Sequence, residues 1–270
     1  MNGFTADWLR LREPADAAAR AAELVAPSAR GASGTLRIID LASGTGANFR
    51  YLAPRLGGAQ DWLLIDHDPA LLAIAGGTAR TLTLDLARSL DALPFEEFDL
   101  VTASALLDLV SAPWLERLAA RCAAARVGVL FALNYDGRIE WSPSDPGDER
   151  VHSLVNRHQR TDKGFGPALG PTAAAAAAER FSGLGYEVRT ARSDWNLRPS
   201  DAALQLALLA DWTRAAAEVA PEEKASLQDW AGRRRALLAI GRSRLRVGHV
   251  DIAGWLAGGP SAAHSVRRSA

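Results

Sequence analysis

The stretch Arg37–Leu52, "RIIDLASGTGANFRYL", runs from apolar residues into an aspartate, then into small residues and two glycines, then into a segment with helical character. An uninterrupted apolar run suits a strand buried on both faces of a parallel sheet. Asp40 therefore stands at the end of a buried strand, directly before a glycine turn. "GTGANF" at 44–49 meets only part of the dinucleotide fingerprint, because Phe49 occupies the place of the third glycine. A carboxylate at Asp40 would repel a pyrophosphate and would favour a ligand that carries an ammonium group.

Outward from this turn, strands are expected at 36–42, 62–68, 81–86, 98–104 and 127–134. Pro69 opens a short helix after the second strand, and "PWLERLAARCAAA" is helical after the fourth. This alternation implies an α/β fold, a Rossmann-like doubly wound, mostly parallel sheet. Further strands at 186–195 and 245–255 bring the expected total to seven, with helices at 200–219 and 222–240 before the last. Residues 5–26 read as helical, with Pro14 opening a second helix. Residues 135–170 break the rhythm and read as a long polar loop.

Two more acids follow Asp40. Asp66 ends the second strand, about twenty residues past the glycines, where a carboxylate accepts hydrogen bonds from ribose hydroxyls. Asp85 ends the third strand, where a carboxylate can accept a bond from the exocyclic amine of adenine. All three fall on the sheet edge at which open α/β folds bind ligands.

"DLASGTG" at 40–46, "LLIDHDPALL" at 63–72, "LTLDL" at 82–86 and "FDLVTASALLDLV" at 98–110 together resemble, in order and spacing, the first four motifs of class I S-adenosylmethionine-dependent methyltransferases. The resemblance covers roughly residues 36–135. It implies S-adenosyl-L-methionine as cofactor. Asp40 would then serve as the acid near the methionine end, and Gly44 and Gly46, beside Ser43, as glycines of close approach. It also implies Asp66 with His67 at the ribose, Asp85 with Leu86 at the adenine, and Ser104 facing the sulfonium and methyl group. Ala42 departs from the family, which often has glycine there; alanine fits if φ is negative.

The resemblance further implies a single domain over 1–270 with an antiparallel last strand. Its parts would be a helical lid at 1–30, a cofactor core at 36–135, a substrate-recognition insert at 136–170 and a helical pair at 198–240. Within the lid, Arg12, Asp16 and Arg20 share one helical face. They form either a solvated salt-bridged face or a wall in which Arg12 pairs with the methionine carboxylate. Within the insert, His152, Arg157, Arg160 and Lys163 are candidate substrate contacts, and Lys163 is one of two lysines in the chain. His158 or Asp136 is a candidate base, and Tyr135 lies beside them at the methyl donor's edge. The histidine and acid spacing matches no zinc pattern, so no metal is expected. Arg233–Arg235 read as a solvated helix face, and His249 and Asp251 as neighbours on one strand face, placed for a structural hydrogen bond.

The chain has 270 residues and zero formal net charge, which argues against a polyanionic partner such as nucleic acid. A lone cysteine fits a reducing, cytoplasmic setting. The start "MNGFTADWLR" does not read as a signal peptide, and no apolar run approaches the roughly 20 residues of a membrane span. The expected function is O- or N-methylation of a small, anionic molecule. The alternatives are RNA or protein methylation, or a non-catalytic module of the same fold. The run "SALLDL" after the fourth strand lacks the Asn/Asp-Pro-Pro-aromatic motif of base-methylating relatives.

Overall fold

The computed structural model describes residues 4–29, 34–75 and 77–257, so residues 1–3 and 30 of the expected lid lie outside it. β1 (Leu36–Leu41) pairs in parallel with β2 (Gln60–Asp66) on one side and β4 (Leu100–Ser104) on the other. β3 (Arg80–Thr83) extends the sheet beside β2, and β5 (Gly128–Ser142) extends it beside β4, again in parallel. β8 (Arg244–Leu256) enters antiparallel between β5 and β6 (Tyr186–Arg192), and β7 (Trp195–Leu197) also pairs with β8. The order is β3-β2-β1-β4-β5-β8-β6 in an eight-stranded sheet. The eighth strand arises because the expected strand at 186–195 breaks. There Ser193 N–H donates to the His249 carbonyl, and Asp194 turns aside to accept from Arg138 and from His249 N–H.

The chain leaves β3 at one edge and returns as β4 beside β1, which makes the β1/β4 boundary a topological switch point. Neighbouring Ile38 and Ile39 point to opposite faces, and both are wholly buried. On the first face Ile38 packs with Leu64, Tyr51 and Leu52 of α3 (Ala47–Leu56), and Leu72 of α4 (Pro69–Ala75). α2 (Val25–Ser28) joins that layer through Val25. On the second face Ile39 packs with the short α5 (Leu86–Ser89), α6 (Ala112–Ala125) and α8 (Ala173–Gly183).

A third apolar cluster lies beyond the sheet. There the far end of β5 and the start of β8 carry α7 (Asp148–Gln159), α9 (Ala202–Val219) and α10 (Lys224–Ala239), with Trp141, Trp195, Trp212 and Trp230 inside. α1 (Ala6–Ala19) packs on it through Trp8, Leu11, Ala15 and Ala19.

Four expectations are corrected here. Pro14 does not open a new helix; α1 runs through it. The missing Pro14 N–H and the ring clash cost ~3 kcal/mol or more, which the packing of α1 and the Arg12–Asp16 pair spanning the proline offset. The loop expected at 135–170 is largely ordered, because β5 continues to Ser142 and α7 follows. Its three buried residues, Val151, Leu154 and Val155, fall at i, i+3, i+4 among polar neighbours that mask the pattern.

Arg234 is not solvated. It is fully buried, donates from Nε to Asp148 at 3.0 Å and from Nη1 to the Pro143 carbonyl at 2.6 Å, and lies over Trp141. His249 and Asp251 do not bond to each other: His249 Nδ1 meets the Val247 carbonyl, while Asp251 accepts the Ala21 and Leu133 N–H groups.

Candidate active site

The turn after β1 is stapled to the end of β2. Ser43 N–H donates to the Ile65 carbonyl at 2.8 Å, and Gly44 N–H donates to Asp66 Oδ2 at 2.8 Å. The other Asp66 oxygen accepts Asp68 N–H at 3.0 Å and lies 3.2 Å from His67 Nδ1. Ala42, Gly44 and Gly46 all have positive φ, so the condition under which alanine fits at 42 is not met. Ala105 after β4 and Leu133 in β5 share this left-handed conformation, which places strain along the ligand edge of three central strands.

A cavity of about 470 Å³ opens over this edge, a size suited to a small ligand. Its floor is the glycine turn with Ser43 and Gly44, the β2 end with Asp66 and His67, and Ser104. Asp85, Leu86 and Arg88 form one end; Asp85 caps α5 by accepting Ala87 N–H at 2.9 Å and sits past the end of β3. α1 forms a wall with Leu9, Arg12 and Asp16, and the segment Lys163–Phe165 faces into it from the region after α7. A Cβ on Gly44 would lie 3.0 Å from Leu9 Cδ1.

Two of the expected cofactor residues do not line this cavity. Gly46 faces α4, where a Cβ would meet Ala75 at 3.0 Å, so this glycine serves helix packing. Asp40 is fully buried beneath Asn48, whose Nδ2 donates to it at 2.7 Å; the other oxygen, Oδ2, has no partner. Burial raises the Asp40 pKa to about 7. Asn48 Oδ1 accepts a bond from buried Arg20 at 2.8 Å, and Arg20 Nε lies 3.5 Å from Asp251. Nη2 of Arg20 has no partner. Arg20, Asn48 and Asp16 border a side chamber of about 180 Å³ that also meets Ser104. Asn48 carried no signal in the sequence, and Asp16 and Arg20 were legible there only as one helical face with Arg12; the fold brings the three together around the chamber.

Arg12 is committed. It grips Asp16 through Nε at 2.9 Å and Nη2 at 3.2 Å, and it lies over Trp195, whose Nε1 donates to Asp16 at 3.0 Å.

The insert candidates divide. Lys163 lines the cavity, whereas His152, Arg157 and Arg160 do not. His152 bonds the Gly137 carbonyl and Arg157 the Val219 carbonyl. The catalytic candidates also stand off the cavity. The Tyr135 hydroxyl donates to Asn156 at 2.7 Å, and Asp136 pairs with Arg138 on the β5–β8 ribbon. The cause is the extension of β5 to Ser142, which carries these residues away from the sheet edge. His158 lies behind Lys163, bonded to it. Asp108, which drew no notice in the sequence, is buried in the turn after β4 with Oδ1 unpartnered, and burial raises its pKa to about 6. Among the described residues, no cluster of three or more His, Cys, Asp or Glu could hold a metal.

Residues 38–126 match the family model for a methyltransferase domain. The chain thus carries a methyltransferase domain over those residues. Among solved structures, this methyltransferase is similar to a cyclopropane-fatty-acyl-phospholipid synthase-like protein from Lactobacillus casei. The TM-score is 0.52 and the identity 17%, over 94% of this chain and 95% of that one. It is also similar to a cyclopropane synthase from Mycobacterium tuberculosis, with TM-score 0.51 and 12% identity over 93% and 94% of the two chains. At such identities the likeness is one of fold. No curated protein matches the methyltransferase by sequence. No helix of the described residues is long and apolar enough to cross a membrane.

Proposed function

We propose that this methyltransferase methylates an oxygen or nitrogen of a small molecule, as one functional unit in which α1 serves as a lid over the cofactor. The observation that carries this reading is the cavity over the β1 and β2 ends, bounded by α1 and Lys163–Phe165. Its size suits a small ligand, and no broad cationic groove accompanies it: Arg12 is neutralised by Asp16, and Arg88 lies 3.5 Å from Asp85. Lys163 faces the cavity without a carboxylate in direct contact, which leaves room for an acceptor with one polar, hydrogen-bonding group. The single cysteine, Cys122, is buried and free, which supports a reducing cytoplasmic setting.

The residues present fit the cofactor. Asp66 would hold the ribose, and Asp85 with Leu86 would border the adenine. Arg20, with an orphaned buried nitrogen beside Asn48 at the start of α3, replaces Arg12 as the partner for the methionine carboxylate. Asp40 would act through Asn48 on the ammonium end. When bound, the cofactor supplies an activated methyl group, so the protein has to orient the acceptor in line, exclude water and remove a proton. Leu9 and Phe165 close apolar surface over the site, and Ser104 borders the place where the reacting groups meet.

The test is calorimetric titration with S-adenosylmethionine and S-adenosylhomocysteine, then incubation of methyl-labelled cofactor with fractionated cell extract. Binding of both, with label entering small molecules, is expected. In the same assay Arg20→Leu should bind S-adenosylmethionine at least about tenfold more weakly, since a hydrogen bond to a charged group is worth roughly 1.5–3 kcal/mol. Label confined to RNA or protein would overturn the small-molecule reading, and absence of binding would overturn catalysis.

A further inference from the structure

We propose that Lys163 takes the acceptor's proton and that His158 and Glu218 carry it from the cavity to the protein surface. Three side chains from three separate segments form the line. Lys163 borders the cavity, and its Nζ lies 3.2 Å from His158 Nδ1 on α7. His158 Nε2 lies 2.9 Å from Glu218 Oε2 on α9. The Glu218 side chain is 49% exposed, so the line ends in solvent.

The partners decide the roles along the line. Glu218 accepts, so His158 carries its proton on Nε2, and Nδ1 is left to accept from Lys163. Nζ also donates to Thr161 Oγ1 at 3.0 Å. A neutral Lys163 amine would thus spend both its protons on Thr161 and His158, and its lone pair would be free for the acceptor.

The supporting loop is held from both sides. Asp162 accepts Gly164 N–H at 2.6 Å and Gly166 N–H at 3.0 Å, in a turn where both glycines have positive φ. Leu169 N–H donates to Val110 and Gly170 N–H to Asp108, which ties the segment to the turn after β4. Phe165 meets Trp114 edge to face at 5.3 Å. Such a loop places a reacting group reproducibly.

The charges around the line are Glu218 and Arg214 on α9, His158 on α7, and Arg12 with Asp16 across the cavity on α1. Burial lowers the Lys163 pKa, with Arg214 acting in the same direction and Glu218 opposing. Burial likewise lowers that of His158, with Lys163 next. Both shifts favour neutral groups that can receive a proton.

The step balances for an acceptor X–H. Its electron pair forms the new X–CH₃ bond as the methyl–sulfur bond breaks with its electrons remaining on sulfur, and the X–H proton moves to Lys163 Nζ. A proton then passes from Nζ to His158 Nδ1 while the Nε2 proton passes to Glu218 and on to water. This inference rests on the methyl-transfer reading above, so its experiment has a part independent of turnover.

The chain has two lysines, Lys163 and Lys224, so protein carrying ¹³C-labelled lysine gives two Cε signals to titrate by NMR. Exposed Lys224 serves as the reference. The Lys163 midpoint should lie below that of Lys224 and fall further in Glu218→Gln. In turnover, read as label transfer into the small-molecule fraction of the extract, Lys163→Met should cost about 10²–10⁴-fold, as for loss of a general base. That loss should shrink at high pH, while S-adenosylmethionine affinity is kept. His158→Ala should lose less and be restored by added imidazole, which a purely structural role would not produce. Lys163 titrating together with Lys224, or Lys163→Met keeping the wild-type pH–rate profile, would overturn the proposal. Wild-type protein that binds cofactor but labels nothing would sink the methyl-transfer reading instead, and the lysine titration would then decide this one.

Discussion

Asp66 ties the glycine turn to β2 and borders the cavity, so replacing it tests two effects that can be separated. Asp66→Ala removes the acceptor for Gly44 N–H, a buried donor held at 2.8 Å, and for Asp68 N–H at 3.0 Å. Leaving a buried donor unsatisfied costs about 1–3 kcal/mol, so the variant should unfold at lower denaturant. Asp66→Asn keeps the side-chain shape and one oxygen for Gly44. It loses the charge, and its amide nitrogen must face Asp68 N–H or a ribose hydroxyl. A hydrogen bond to a charged group contributes roughly 1.5–3 kcal/mol, so S-adenosylmethionine affinity should fall about 10- to 150-fold in Asp66→Asn. Asp66→Ala should bind still more weakly, because Gly44 loses its anchor as well. Calorimetric titration gives the affinities, and urea unfolding in the absence of cofactor gives the stabilities. Wild-type affinity in Asp66→Asn would refute the placement of the ribose at Asp66. Unchanged stability in Asp66→Ala would refute the view that this side chain holds the turn.

Ala42 has φ +51°, so Ala42→Gly should relieve left-handed strain and stabilise the protein by up to about 1 kcal/mol; a lower thermal midpoint would contradict this. Asp40 has a pKa of about 7 when folded, above its ordinary 3.8, so the folded chain holds a proton there that the unfolded chain has lost. Its contribution therefore makes wild-type stability fall as pH rises from about 4 to about 7, by at most ~1.4 kcal/mol per unit, and level off above. Asp40→Asn should lack that slope; a wild-type-minus-variant difference in urea stability that is flat with pH would contradict it.

The strands β1, β2 and β4 and the first half of β5 were legible because each is a short apolar run, a local property of the chain, whereas the extension of β5 to Ser142 was not. The same locality exposed Asp66 and Asp85 at successive strand ends, where β–α turns must follow. Reading failed where burial depends on distant partners. α7 is written mainly in polar letters, and its three apolar residues gain meaning only against α9 and Trp212. Arg234 looks like one of three solvated arginines until Asp148 and Trp141 close over it.

The sequence alone determined the parallel core of the sheet and the acids near its strand ends, since strand period and turn chemistry act over a few residues. Only the tertiary structure decided which side chains reach the ligand. Arg20 meets Asn48 across 28 residues of chain, Arg12 is neutralised by Asp16 under Trp195, and Lys163 reaches the cavity while His158 backs it. Those outcomes depend on how α1 and the Lys163 loop pack against the sheet. Packing is a property of surfaces brought together from far apart in the chain, which no local pattern records.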